Sequence, residues 1–192
     1  IGWFWAAGYG FLSLTLLMGG FLAVSSVDQL SHMLASVDLY FRTFEFNASL
    51  YYLLRWVGFQ WQGYNMISTI GPSLGALTAI GIFTYAFGER GPAIKNWPWF
   101  IVISLAIYLA LTTTVHPWYV TPMVAFGALT RLWFPFVWAF AVLFSYATYQ
   151  VEPYQEVYWL TALEYLSVAV TLIYDFCSRR SKIPGMEADK QA

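Results

Sequence analysis

Between Thr112 and Tyr149 the only Asp, Glu, Lys or Arg is Arg131, and it separates two apolar runs. Near the start of this stretch lies His116, one of two histidines in the chain, within the turn His116-Pro117-Trp118-Tyr119. Two apolar runs parted by one arginine are hard to place in a water-exposed fold. The whole chain follows this bias: of its 192 residues, 59% are hydrophobic and 10% are charged. A soluble domain carries about 25% charged residues, so an integral membrane protein is expected. Aromatic residues reach 21%, and many fall at segment ends, as in the belts that anchor helices at membrane interfaces.

The net charge of -1 gives no basis for nucleic-acid binding. A single cysteine, Cys177, excludes an internal disulfide. With two separated histidines, no transition-metal site is expected. Ile1 already stands inside an apolar run with no charged segment before it. A signal peptide is therefore not expected, and the chain reads as the later part of a longer protein.

The expected fold class is all-α: a polytopic membrane helix bundle of about six transmembrane helices plus an external amphipathic helix. The candidate spans are residues 1–24, 64–87, 98–115, 118–130, 132–149 and 156–176. Residues 1–178 form the expected single domain, and 179–192 a cytoplasmic tail. The stretch 25–63 contains Asp28, His32, Asp38, Arg42, Glu45 and Arg55, too many charges for a span. Leu50, Leu53, Leu54 and Val57 recur at helical spacing, which predicts a surface-lying helical segment over 36–58 beside the His116 turn. Asp28 and Asp38 read as solvated loop charges. Asn47-Ala48-Ser49 matches a glycosylation sequon, a pattern too short to argue from.

The 118–130 run is short for a span, at about 1.5 Å per residue. Charge parity argues for counting it. Loop 88–97 and the tail are both basic, so both belong on the cytoplasmic side, and an even number of crossings must separate them. Both termini are then cytoplasmic, while loop 25–63, His116 and loop 150–155 lie outside. An integral membrane location is expected.

Three polar clusters converge on the outer face in this topology: Arg42–Arg55, the Thr112-to-Tyr119 turn and Glu152–Glu156. Glu164 lies inside the last span, where a carboxylate marks either a functional site or a hydrogen bond to a neighbouring helix. His116 is either a ligand contact or a helix cap. Arg55 and Arg42 suit an anionic group, whether a bound phosphate or the lipid headgroups. Trp118, Trp133 and Trp138 read as belt or packing residues.

Several blocks in order, Phe44-Glu45-Phe46-Asn47-Ala48-Ser49-Leu50-Tyr51-Tyr52, Thr113-Thr114-Val115-His116-Pro117-Trp118-Tyr119, Phe134-Pro135-Phe136-Val137-Trp138, Ser145-Tyr146 and Glu164-Tyr165, resemble bacterial mannosyltransferase-like membrane proteins of the GT-C superfamily. The resemblance covers about residues 36–176. It implies, in a bacterial inner membrane, transfer of a hexose, mannose above all, from a polyprenyl-phosphate donor on the outer face, with the lipid-linked sugar as substrate and no cofactor. It implies Arg55 and His116 as contacts of the donor phosphate, and Glu45, Tyr119 and Glu164 as positioning residues. It also implies that the catalytic carboxylate lies upstream of Ile1. The partners would be membrane lipid, the polyprenyl-phosphate sugar, and the missing N-terminal half or other membrane subunits. The residues themselves leave two other readings open, a transporter segment and a structural subunit of a larger membrane complex.

Overall fold

A computed structural model describes residues 3–88, 93–150 and 155–180. Glu89, Arg90, Glu152 and the tail from 181 onward lie outside the described residues. Within them the chain is helical: α1 (Trp3–Val24), α2 (Val27–Thr43), α3 (Leu50–Gln62), α4 (Ile67–Gly88), α5 (Ala93–Leu111), α6 (Pro117–Thr130), α7 (Phe134–Ala141), a 3₁₀ helix (Val142–Gln150) and α8 (Tyr158–Arg180). By length and composition, three of these helices can cross a membrane: Phe4–Val24, Ile67–Gly88 and Tyr158–Ser178. The apolar stretch Trp97–Leu111 is shorter.

The contacts divide the chain into two units, Ile1–Tyr40 and Phe41–Ala192. The first unit holds α1 and most of α2. None of the apolar window of α1 is buried, and an all-round apolar helix needs lipid or a partner to cover it. A reciprocal cap starts α2: the Ser26 N–H donates to Gln29 Oε1 at 2.8 Å, and the Gln29 N–H donates to Ser26 Oγ at 3.2 Å. Asp28 therefore sits in the first turn of α2, where a negative charge meets the helix dipole. Asp38 is also helical, so neither aspartate is a loop charge.

In the second unit α5 packs between α4 and α6, and α7 packs between α6 and α8. Val102, Leu109, Val120, Met123, Trp138 and Val168 join these helices in one core. Pro117 occupies the first turn of α6, where its missing N–H costs nothing. Gly63 ends α3 in the left-handed region, φ 77°, and its N–H returns to Phe59 O at 3.0 Å.

Two expected segments are interrupted. The helix expected over 36–58 stops at Thr43 and resumes at Leu50. Phe46 spends its backbone groups on residues 113 and 115, and Asn47 has φ 47°, which no right-handed helix can contain. The span expected over 132–149 is an eight-residue α7 that tightens into a 3₁₀ helix. There Ser145 Oγ donates to Val142 O at 2.7 Å, a local bond that competes with regular helical pairing.

The turn between α6 and α7 is tight. Arg131 takes a left-handed conformation, φ 56°. Asp175 of α8 accepts the N–H groups of Trp133 and Phe134 at 2.8 and 2.9 Å, which caps α7 from a neighbouring helix. Gly127 lets α6 approach Pro135, since a Cβ there would stand 2.9 Å from the proline ring.

Candidate functional site

The irregular segment 44–49 is the centre of the second unit, and Phe46, Asn47 and Ala48 are almost fully buried. Irregular backbone in a membrane protein must be enclosed by protein or line a cavity, and its polar groups must find partners. Here Phe46 forms a short parallel bridge with Thr114: its N–H donates to Thr113 O at 3.1 Å, and its carbonyl accepts from the Val115 N–H at 2.9 Å. Ser49 Oγ donates to Ala110 O at 2.8 Å. Counting two at the Asn47 backbone, five of its bonds tie the segment to α5, the loop after α5, α8 and the approach to α8.

The other two involve Asn47. Its backbone N–H donates to Glu156 Oε1 at 2.9 Å, and its carbonyl accepts from the Tyr165 hydroxyl at 2.7 Å. Its side-chain amide donates to Glu164 Oε2 at 3.0 Å. The second oxygen of Glu164 accepts the indole N–H of Trp138 at 2.9 Å. Glu164 is completely buried, and both of its oxygens are engaged. Trp138 is buried too, which agrees with packing rather than an interfacial belt.

Successive side chains of an extended segment point to opposite faces. Phe44 and Phe46 therefore share one face, and Glu45 takes the other. On the Phe face sits His116, whose ring stacks on Phe46 at 4.9 Å and on Trp118 at 4.4 Å. Tyr119 meets the same imidazole edge-on at 5.4 Å. Burial lowers the pKa of His116, so the ring is a neutral slab in an aromatic stack.

On the Glu45 face sits Arg55, whose Nη1 donates to Glu45 Oε1 in an ion pair. Its Nη2 donates to the Tyr158 hydroxyl at 2.8 Å. The guanidinium carbon lies 4.9 Å from the Tyr52 ring centre and 5.7 Å from that of Tyr158, within cation–π range. Burial opposes the charged form of Arg55, but the Tyr158 hydrogen bond and the Glu45 charge outweigh it and raise its pKa. Tyr51, also on α3, donates its hydroxyl to Glu45 Oε2, and Asn65 Nδ2 donates to the same oxygen at 3.3 Å. Glu156 Oε2 is buried near the Tyr52 hydroxyl but in no bond of good geometry. Burial raises the pKa of both groups.

Beside this cluster opens an apolar cleft of about 510 Å³, lined by Tyr52 and Leu53 of α3, Leu111 of α5, and Tyr158, Ala162 and Tyr165 of α8. Tyr52 and Tyr158 thus clamp Arg55 and also wall the cleft.

Of the residues singled out from sequence, the structure pairs Glu45 with Arg55 and His116 with Tyr119. It puts Glu164 under Asn47. Arg55 and His116 are reached from opposite faces of the 44–49 segment. Asn47, Tyr51, Tyr158 and Asn65 were not singled out as site residues. The one signal for Asn47 was its residue type, since asparagine visits the left-handed region more readily than most residues. Among the described residues, no three His, Cys, Asp or Glu side chains gather as they would around a metal ion. No protein-family model, curated protein sequence or solved structure matches the chain.

Proposed function

We propose that the chain forms the donor-binding part of a membrane glycosyltransferase that takes a hexose, mannose by resemblance, from a polyprenyl-phosphate donor. The observation that carries this reading is the cleft whose wall tyrosines also clamp Arg55. A long isoprenoid tail suits an apolar cleft open to one side, and its phosphate would lie at the cationic end. In the reaction the bond from the sugar's anomeric carbon to the phosphate oxygen breaks. A bond from the acceptor oxygen to that carbon forms, and the acceptor's proton passes to a carboxylate base supplied outside these 192 residues. Negative charge gathers on the leaving phosphate, so a cation aimed there acts mainly in the transition state. In the same proposal six segments cross a bacterial inner membrane, both ends of the chain are cytoplasmic, and the 44–49 segment lies toward the outer face.

The test uses the full-length protein in native membranes with a polyprenyl-phosphate hexose donor. Arg55→Ala should slow transfer by about 10²–10³ at unchanged protein level, the usual effect of losing one such contact. Arg55→Lys should restore little, because a point charge does not reproduce the guanidinium fork. Leu53→Trp, which fills the cleft, should raise KM for a long-chain donor more than for a short-chain one. Normal rates for Arg55→Ala would overturn the reading. The topology has its own check: in a Cys177→Ser background, cysteines at 93 and 185 should label from the same side.

A further inference from the structure

We infer that Arg55, Tyr51 and Asn65 form an anion-binding site whose resident occupant is the chain's own Glu45 carboxylate, and that a long-chain phosphate binds there by displacing it. This rests on the lipid-phosphate reading above and says how the ligand gets in. If Arg55 is to hold a phosphate in a fork, two of its N–H groups must face the ligand. In the structure Nη1 is given to Glu45 and Nη2 to Tyr158. Glu45 fills the position on which Arg55 Nη1, the Tyr51 hydroxyl and Asn65 Nδ2 converge, so a phosphate that takes those three donors must displace it.

Each of the three donors is oriented by a group other than Glu45. The guanidinium is held between the rings of Tyr52 and Tyr158 and by the Tyr158 hydroxyl. The Asn65 amide is fixed because its Oδ1 accepts the Ile67 N–H at 3.1 Å, which turns its NH₂ group toward Glu45. Tyr51 is fully buried and packs with Ala48, Ile67 and Leu74, and its hydroxyl also lies 3.0 Å from Asn65 Oδ1. If Glu45 swings away, these donors keep their places and present a ready-made receptor. Glu45 can leave: its side chain is 25% exposed, against complete burial for Tyr51. The tyrosines that clamp the guanidinium also wall the apolar cleft, so an incoming headgroup and its chain have adjoining places.

The exchange swaps one anion for another, so the cation is never left unpaired. A phosphate monoester such as dodecyl phosphate offers three oxygens to donors that now share two, and a diester-linked sugar donor offers two in their place. The tethered carboxylate competes at high effective concentration, and a ligand must work against it.

The experiment titrates the purified full chain, in neutral dodecyl maltoside micelles, with dodecyl phosphate and separately with inorganic phosphate. Three proteins are compared: wild type, Glu45→Gln and Arg55→Gln. Removing the competitor raises the fraction of chains ready to bind, so Glu45→Gln should bind dodecyl phosphate at least about tenfold more tightly than wild type. Arg55→Gln should lose the binding. Inorganic phosphate should bind at least about tenfold more weakly than dodecyl phosphate, since it leaves the cleft unused. If Glu45→Gln does not fold, Glu45→Asp takes its place, because its shorter carboxylate reaches fewer donors and competes less well; the same ordering is expected. Equal or weaker binding by a folded Glu45 variant, with wild type binding, overturns the exchange and leaves the lipid-phosphate reading standing. No dodecyl phosphate binding by wild type or variant overturns both. Equal affinity for the two phosphates overturns the role of the cleft and assigns the site to free phosphate.

Discussion

Glu164 on α8 accepts a hydrogen bond from the side-chain amide of Asn47 at 3.0 Å, joining residues 117 positions apart in the chain. With Trp138 on its other oxygen, this buried carboxylate ties the 44–49 segment to α7 and α8 at once. Positions of the donor cluster and of the aromatic stack both depend on that segment, because they lie on its two faces.

Glu164→Leu should destabilise the protein strongly. It strands the Asn47 amide and the Trp138 indole N–H, and each orphaned buried donor costs about 1–3 kcal/mol. Glu164→Gln should cost less, since one oxygen remains, but its NH₂ must then face one of two donors. Thermal unfolding in detergent, followed by tryptophan fluorescence, measures both. A Leu variant within about 0.5 kcal/mol of wild type, the scatter of surface changes, would show that the carboxylate is dispensable.

Gly127→Ala should separate α6 from α7. The added methyl would meet the Pro135 ring at 2.9 and 3.0 Å, and a ring locked to the backbone yields little. Overpacking of this kind costs about 1–3 kcal/mol. The loss should be recovered in part by the double variant with Pro135→Ala, which a double-mutant cycle reads directly.

Asp175→Ala should loosen the start of α7. Two backbone N–H groups lose their acceptor, and removal of a helix cap costs about 0.5–2 kcal/mol. Hydrogen exchange should speed up at Trp133 and Phe134 and stay unchanged at Asn47, whose N–H is held by Glu156. Uniform speeding across the chain would instead mean global unfolding.

Stability should fall as pH drops through the histidine range. His116 has a folded pKa below its ordinary 6.5, so the unfolded chain takes up the proton first. Its contribution is whole above 6.5 and is lost as pH falls toward the folded value. Glu156 works in the opposite sense. Its folded pKa lies above the ordinary 4.5, so its contribution is whole below 4.5 and is lost as pH rises through the folded value. His116→Phe keeps the stack and removes only the first effect. Unfolding midpoints between about pH 7.5 and 5.5 should drop for wild type more than for the variant. Identical pH profiles would remove His116 from the account.

The helical class, the three long apolar helices and the importance of Glu164 were legible because each is a local property. An apolar run of sufficient length and a carboxylate inside one need no knowledge of the rest of the chain. The apolar stripe of α3 located a helix but not its buried face. Leu50, Leu53, Leu54 and Val57 do share a face, but all are exposed, and the buried positions are Tyr51 and Gly58. In a membrane protein the apolar face of a helix need not be the inward one, so periodicity locates a stripe without saying which way it points. The break at 44–49 was illegible because its causes lie at residues 113, 115, 156, 164 and 165. Arg55 was read as a contact of an external anion; its pairing with Glu45 was illegible because it depends on the extended path of residues 44–49.

The partners of Asn47 also order events during synthesis. Glu156, Glu164 and Tyr165 follow it by 109, 117 and 118 residues. At about 5–20 residues per second, Asn47 is made roughly 5–25 seconds before the groups that satisfy it. For that interval its amide, carbonyl and N–H need other company, in water or in the insertion machinery. The donor cluster and the aromatic stack therefore take their final form only when α8 enters, and a ribosome that stops before α8 leaves behind a chain with an unfinished centre.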